Sequence, residues 1–182
     1  MFPDIESQRM RLVWMTPRVM RASIEGRRRE AEALVGAFLP DSWPEEDARR
    51  RISIRLDEME RSPEAAEWLL RLMVDAGMST VVGYINFHGP PADGRAELGY
   101  TVFPSYRRLG YASEAALAMM RWANATHEVS TFVVSISPDN APSLGLAAKL
   151  GFGRVGTQID DVDGEEWVFE LAWPASGKGL AV

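Results

Sequence analysis

The sequence predicts an α/β protein of the α+β kind: a mixed, mostly antiparallel sheet with helices on both faces. Three observations carry this expectation. Apolar residues recur at helical spacing in some stretches and at strand spacing in others, and the two kinds of stretch alternate along the chain. Short runs rich in β-branched residues are separated by Gly, Pro and Asp turn signals close enough together for hairpins. The resulting order, β-α-α-β-β-β-α-β-α-β-β, has no internal repeat, and strands that follow one another without a helix between them pair antiparallel. A chain of 182 residues is most simply one domain, over 1–174, able to bury most of its apolar surface without staples. Residues 175–182 read as a flexible tail.

Each element has its own local reason. Arg9 to Met15 mixes apolar and polar residues as an opening strand does. Thr16 followed by Pro17 reads as an N-cap with proline at the first helical position. The helix it starts runs, basic-faced, through Arg27, Arg28 and Arg29 to Phe38, and Pro40 to Pro44 breaks it. A second helix spans Glu45 to Arg61, with Ile52, Leu56 and Met59 at helical spacing. From Glu67 the period becomes that of strands: Trp68 to Val74 and Thr80 to Phe87 flank a hairpin signal over Asp75 to Met78. A turn over Gly89 to Gly94 leads into the strand Arg95 to Phe103. Ser113 to Asn124 reads as helix, with Ala116, Leu117 and Met120 on one face. Thr131 to Ile136 is β-branched and apolar, as suits a buried central strand. Asn140 to Leu150 is a helix stopped by Gly151. Gly153 to Ile159 and Glu165 to Trp173 then form a hairpin around Asp163 and Gly164.

Composition excludes several classes. The chain is 46% hydrophobic and 25% charged, which is ordinary for a globular protein. It has no cysteine, so there is no disulfide framework, thiolate nucleophile or Cys-based metal site. His88 and His127 are too few and too far apart to suggest a metal centre, and each reads as a surface or loop residue. A net charge of −6 and a pI near 5.0 argue against general affinity for nucleic acid or an anionic membrane. No apolar run approaches the ~20 residues that cross a bilayer. Met1 to Glu6 has neither a basic nor an apolar leader region, which makes a cytoplasmic location the expectation.

The segment with most chemical content is Tyr106-Arg107-Arg108-Leu109-Gly110-Tyr111-Ala112, between an expected strand and an expected helix. A basic, glycine-containing turn that opens a helix can hold an anionic group. Its backbone N–H groups converge there, and the helix dipole adds partial positive charge at the same place. The alternative is that Gly110 only shapes a turn and the arginines are solvated. Two further segments bear on the choice: Glu97-Leu98-Gly99-Tyr100 upstream, and Asn140-x-x-Ser143 leading to Lys149-x-Gly151-Phe152 downstream.

Together, in order and spacing, these segments resemble the GNAT superfamily of N-acetyltransferases, which use acetyl-coenzyme A. Arg107-x-x-Gly110-x-Ala112 matches the family's pyrophosphate-binding motif, and the Asn140 to Phe152 segment matches its second cofactor-side motif. The resemblance spans Thr80 to Leu171. Glu97-Leu98-Gly99-Tyr100 and Ser143 are most similar to the branch holding ribosomal-protein N-terminal acetyltransferases and many small-amine acetyltransferases. The resemblance implies that two central strands, Ala96 to Phe103 and Thr131 to Ile136, splay apart to admit the pantetheine arm. It also implies that backbone groups of Thr101, Val102 and Phe103 pair with pantetheine, with the Val102 N–H facing the thioester oxygen.

Amide formation from a thioester and an amine needs a positioned cofactor, a neutral amine, a stabilised oxyanion and a protonated leaving thiolate. Positioning falls to Arg107, Arg108, Leu109, Gly110, Tyr111 and Ala112. Glu97 is the candidate base, directly or through a water, in a semi-apolar setting between Ala96 and Leu98 that can raise its pKa. Its other reading is an outward polar residue paired with Arg95. Many family members carry a tyrosine where this chain has Ala147. Ser143 stands where some related N-terminal acetyltransferases place a hydroxyl donor, and its other reading is a first-turn residue bonded to backbone. Asn140 can serve pantetheine, cap the following helix, or do both. Lys149 either reaches the cofactor's 3′-phosphate or stays solvated near a helix end. The acidic loop from Asp41 to Asp47 either attracts a cationic amine or is simply solvated.

The expected activity is therefore acetyl transfer from acetyl-CoA to a primary amine, on a small molecule or a protein N-terminus, by direct transfer and without metal. The runner-up is a non-catalytic acyl-CoA-binding sensor or interaction module on the same fold. A homodimer is compatible with either.

Overall fold

The computed structural model describes residues 2–160 and 164–173. The strands are β1 (Ile5–Glu6), β2 (Met10–Trp14), β3 (Arg71–Asp75), β4 (Thr80–Phe87), β5 (Arg95–Val102), β6 (Thr131–Ile136), β7 (Gly153–Asp160) and β8 (Gly164–Ala172). The helices are α1 (Pro17–Ile24), α2 (Arg28–Val35), α3 (Glu46–Arg61), α4 (Tyr111–His127) and α5 (Ala141–Leu150). The sheet has eight strands in the order β1-β2-β3-β4-β5-β6-β8-β7. Every neighbouring pair is antiparallel except β5 and β6, which run parallel because α4 connects them.

Two expectations needed correction. The long helix read from Thr16 to Phe38 is two helices, because Gly26 takes a left-handed φ of 72° and ends the run behind α1. The strand read from Trp68 begins at Arg71; a 3-10 turn over Pro63–Ala65 carries the buried Trp68, Leu69 and Leu70 up to it. The two-residue β1 is an addition that no local pattern announced. Asp163, expected in the last hairpin turn, and the expected tail over 175–182 lie outside the described residues.

Caps mark the helix ends. The Thr16 hydroxyl accepts from the Val19 N–H at 3.2 Å, with Pro17 at the first position of α1. The Asn140 side chain accepts from the Ser143 N–H at 3.2 Å and starts α5, which Gly151 ends at φ 88°.

Alternation along the strands feeds two cores on opposite faces of the sheet. Leu72 and Val74 of β3 and Val81 and Tyr84 of β4 pack with α1, α2 and α3. Met73, Phe87, Ala96 and Leu98 pack with α4, whose sheet-facing side is largely small: Ala115, Ala116 and Ala123 are fully buried. Small residues let α4 lie close to the strands it connects.

The feature that matters most for function is where the sheet parts. β5 and β6 pair only over Arg95↔Thr131, Ala96↔Phe132 and Glu97↔Val133. Beyond Glu97, β5 stays with β4 as far as Val102↔Gly83, while β6 stays with β8 as far as Ile136↔Trp167. A wedge-shaped gap opens between them. Gly83 holds the β5 side: a Cβ there would sit 2.2 Å from the Thr101 carbonyl oxygen, so only glycine allows this approach.

Candidate functional site

The gap is edged by β5, and strand geometry decides which groups face it. The Phe103 N–H donates to the Val82 carbonyl at 2.9 Å, and the Glu97 carbonyl accepts from the His88 N–H at 2.8 Å. Residues of that parity therefore aim their backbone at β4, and Tyr100 and Val102 aim theirs into the gap. The Phe103 carbonyl also accepts from the Tyr106 N–H at 2.9 Å. Both backbone groups of Phe103 are thus committed within the fold, which removes it from the expected pantetheine partners; Thr101, paired with Tyr84, has the same parity. Val102 keeps the gap-facing position.

At the open end of the gap lies the basic turn. Gly110, at φ 87°, is the N-cap of α4 and brings no side-chain cap with it. Among the described residues, the backbone N–H groups of Leu109 to Ser113 donate to no protein acceptor. Those free donors, at the positive end of a 17-residue helix, form an anion cradle. The two arginines differ. The Arg107 Nε folds back and donates to the Val102 carbonyl at 3.0 Å, tying the turn to the strand edge. Arg108 is exposed, with a φ of 61°, and makes no ion pair among the described residues.

Arg9, from the far end of the sequence, braces this turn. Its Nη2 donates to the Leu109 carbonyl at 3.1 Å, while its Nε and backbone N–H donate to the Glu114 carboxylate at 2.8 and 2.7 Å. The guanidinium also lies 4.7 Å from the Tyr111 ring centre. The Tyr111 hydroxyl donates to Asp75 at 2.8 Å, and the other Asp75 oxygen accepts from the Met78 N–H at 2.8 Å. Burial pushes Asp75 upward, but the Met78 N–H, the Tyr111 hydroxyl, the Gly77 N–H and the Arg9 charge hold its carboxyl below the usual range. Glu114 is likewise raised by burial and lowered further by Arg9 and Ser7, with a net downward shift.

Across the gap from β5 stands the first turn of α5. There the Ser143 hydroxyl stands beside the Tyr100 hydroxyl, whose pKa burial raises and Ser143 pulls partly back. Asn140 spends its side-chain oxygen on capping α5. Ala147 is buried in the core, and Lys149 lies exposed in the last turn of α5.

Behind β5, on the face covered by α3, is a cavity of about 130 Å³. Its walls include Arg51 and Arg55 of α3, Tyr84 and Asn86 of β4, His88 just beyond β4, and Gly99, Tyr100 and Thr101 of β5. The His88 ring lies against Gly99, where a Cβ would come within 2.8 Å of its Nε2. Its Nδ1 faces Glu97 Oε1 at 3.6 Å. Glu97 therefore pairs with His88, whereas Arg95, its expected partner, binds Glu170. Partial desolvation of the ring against the cavity wall lowers the His88 pKa and Arg55 and Arg51 add to this, against the opposing pull of Glu97 and Glu166. Of the acidic loop, Asp41 pairs with Arg28, and no residue of 41–47 is among the described residues lining this cavity. A larger cavity of about 590 Å³, between Ile5–Gln8 and α4, touches none of the expected site residues.

The family pattern described as "Acetyltransferase (GNAT) domain" matches residues 9–153, which include every residue of the gap, the turn and the cavity. The chain belongs to the GNAT acetyltransferase family. Two curated relatives are similar to part of this chain. The uncharacterized N-acetyltransferase YnaD of Bacillus subtilis (strain 168) is 30% identical over 76 residues, covering 42% of this chain and 45% of that protein. YjdG of the same organism is 37% identical over 73 residues, covering 40% of this chain and 44% of that protein. The match thus takes in less than half the length of either relative. Among solved structures, the GNAT fold here is similar to a putative ribosomal-protein-serine acetyltransferase from Vibrio cholerae (TM-score 0.66, 19% identity, covering 93% of this chain and 97% of that one). It is also similar to the microcin C7 self-immunity acetyltransferase MccE, solved with acetyl-CoA and AMP (TM-score 0.63, 14% identity, 91% and 93% covered). At these identities the likeness is one of fold.

Four residues around this candidate site carry no local signal in the sequence. From the sequence Tyr100 reads only as a neighbour of Glu97, although strand alternation puts it on the same edge as Val102. His88 is the exposed residue its sequence context suggests, and the β4–β5 register brings it to Glu97. Arg9 and Glu114 are 105 positions apart, and nothing local links them.

Proposed function

We propose that this GNAT domain transfers an acetyl group from acetyl-CoA to a primary amine, directly and in a ternary complex. The observation that carries this reading is the parted β5–β6 edge opening onto the uncapped amides of Leu109 to Ser113. Those amides, with Arg108 beside them, fit a pyrophosphate, and the gap fits an extended arm. Acetyl-CoA supplies an acyl group activated as a thioester. Within the gap, the Val102 N–H is assigned to the acyl oxygen, where a donor aimed at developing charge lowers the barrier. Glu97 takes the proton of the incoming amine, directly, through His88, or through a water, and the downshifted His88 is largely neutral near pH 7 and so able to accept. The Tyr100 hydroxyl, with Ser143 beside it, returns a proton to the leaving sulfur. With no cysteine in the sequence, no thiol is present to carry the acyl group in between.

The acceptor, whether a small amine or a protein N-terminus, would enter from the cavity behind β5. The test is calorimetric titration with acetyl-CoA, with Gly110→Glu as the blocked-cradle control. Saturable binding that disappears in the variant, followed by amine-dependent thiol release, supports the reading. Binding without thiol release for any amine would instead favour a sensor, and absence of binding by the parent protein would overturn both.

A further inference from the structure

We propose that the acceptor amine also carries an anionic group, a carboxylate or a phosphate, which docks between Arg51 and Arg55 in the cavity behind β5. This deepens the acetyl-transfer reading and rests on it for the identity of the reaction. Among the described residues, the cationic side chains lining the cavity are Arg51 and Arg55, with His88 beside them, and no carboxylate lines it. Among the described residues the exposed Arg51 has neither an ion-pair nor a hydrogen-bond partner. Arg55 gives one nitrogen to Glu58 at 2.6 Å and keeps the rest of its fork. Both cations line the same cavity as His88, whose Nδ1 faces Glu97 at 3.6 Å, and Glu97 and Glu166 are the carboxylates whose charge reaches the imidazole. In a chain of net charge −6, a local reversal of sign on the acceptor side calls for a ligand that answers it.

Two physical arguments favour an anionic amine over a plain cation. An acceptor bearing only ammonium charge would be repelled by two guanidiniums at close range, whereas a guanidinium fork binds carboxylate or phosphate with charge-assisted hydrogen bonds. The same positive field disfavours the ammonium form, so it helps to deliver the neutral amine that the reaction needs. Size agrees. A cavity of about 130 Å³ is below the ~300–1,000 Å³ typical of sites that enclose a whole small molecule, but it can take a compact anionic group. The remainder of the acceptor would lie over Ile54, which is 48% exposed on the same face of α3.

The experiment uses matched amines with the full protein and acetyl-CoA, read by thiol release: phosphoethanolamine against ethanolamine, and β-alanine against β-alaninamide. A second readout needs no turnover: the His88 imidazole resonances, assigned with His88→Gln, are followed while phosphoethanolamine or ethanolamine is added. The expected result is an anionic preference of about tenfold or more in kcat/KM, the size of one charge-assisted hydrogen bond. Saturable shifts of His88 by the anionic probe only are expected as well. Both should collapse in Arg51→Gln and in Arg51→Gln/Arg55→Gln, with acetyl-CoA binding retained as the folding control. Which pair shows the larger preference separates phosphate from carboxylate. Acetylation without anionic preference would overturn the proposal and leave acetyl transfer standing. His88 shifts without acetylation of any amine would support the anion site and sink acetyl transfer. Neither signal would remove both.

Discussion

Tyr100 carries a phenol that burial keeps protonated, and the neighbouring Ser143 hydroxyl offsets this in part. A proton donor should hold its proton until the leaving group needs it, so the raised pKa suits the role. Because a thiolate leaves readily, the contribution belongs at the low end of general acid catalysis. Tyr100→Phe is expected to lower kcat about tenfold to a hundredfold while acetyl-CoA affinity, measured calorimetrically, stays put. Ser143→Ala should slow the same step by less. An affinity loss without a kcat loss would make both residues structural. Glu97 makes a different prediction. Glu97→Gln should cost far more turnover at pH 7 than at pH 9, because at high pH solvent does the deprotonation; equal profiles for variant and parent would remove Glu97 as base. The sequence exposed Glu97 and Ser143 because a carboxylate in mid-strand and a hydroxyl in a first helical turn are local anomalies. It hid Tyr100 and His88, whose meaning depends on which way β5 and β4 face.

Two glycines of the central hairpin, Gly83 and Gly99, separate the stability of the elements from the geometry of the site. At Gly83 a new Cβ meets backbone, the Thr101 carbonyl at 2.2 Å, and backbone held in a sheet has nowhere to go. Gly83→Ala is therefore expected to cost about 1–3 kcal/mol, a fall in Tm of several degrees. At Gly99 the obstacle is the tip of a side chain, His88 Nε2 at 2.8 Å, which can swing aside. Gly99→Ala should leave Tm nearly unchanged and reduce turnover by moving His88 away from Glu97. A large loss of Tm in Gly99→Ala would show that His88 is fixed by packing. Elements with local signatures were legible: the Thr16 and Asn140 caps, the Gly151 stop, and Ile52, Leu56 and Met59 along α3. The break at Gly26 was missed because the amphipathic pattern continues through it. β1 was missed because two residues are too short for a period.

For the molecule as a whole, Asp75 and Glu114 join the N-terminal segment, the β3–β4 turn and α4 through Arg9, Ser7 and Tyr111. Both carboxyls sit below their ordinary range in the folded state. Their stabilisation is therefore complete above the unfolded carboxyl value of about 4 and is lost as pH falls through the lower folded values. The contribution of these two carboxyls should be level from neutral pH down to about 5 and drop below that, while His88, whose folded value lies below its unfolded one, takes a little stability away as pH falls past about 6.5. Tyr111→Phe removes a hydrogen bond to a buried carboxylate, so it should cost about 1.5–3 kcal/mol at neutral pH and move the acid limb of a denaturation series upward in pH. An unmoved acid limb would mean that Asp75 is held by its backbone donors alone. The order of elements could be read from the sequence because it is a sum of local signals. The parting of β5 from β6 reached the sequence reading only through family resemblance, because it records a competition between β4 and β8 for two strands. A sheet left half-zipped in this way keeps a clock in its amides. In deuterated water the N–H groups of Tyr100 and Val102 should exchange quickly, while Thr101 and Phe103, bound to β4, exchange slowly. With acetyl-CoA present, the fast pair should slow and its neighbours should hardly change. Such an every-second-residue pattern would mark the ligand as the missing strand, and a uniform slowing would mark it only as ballast.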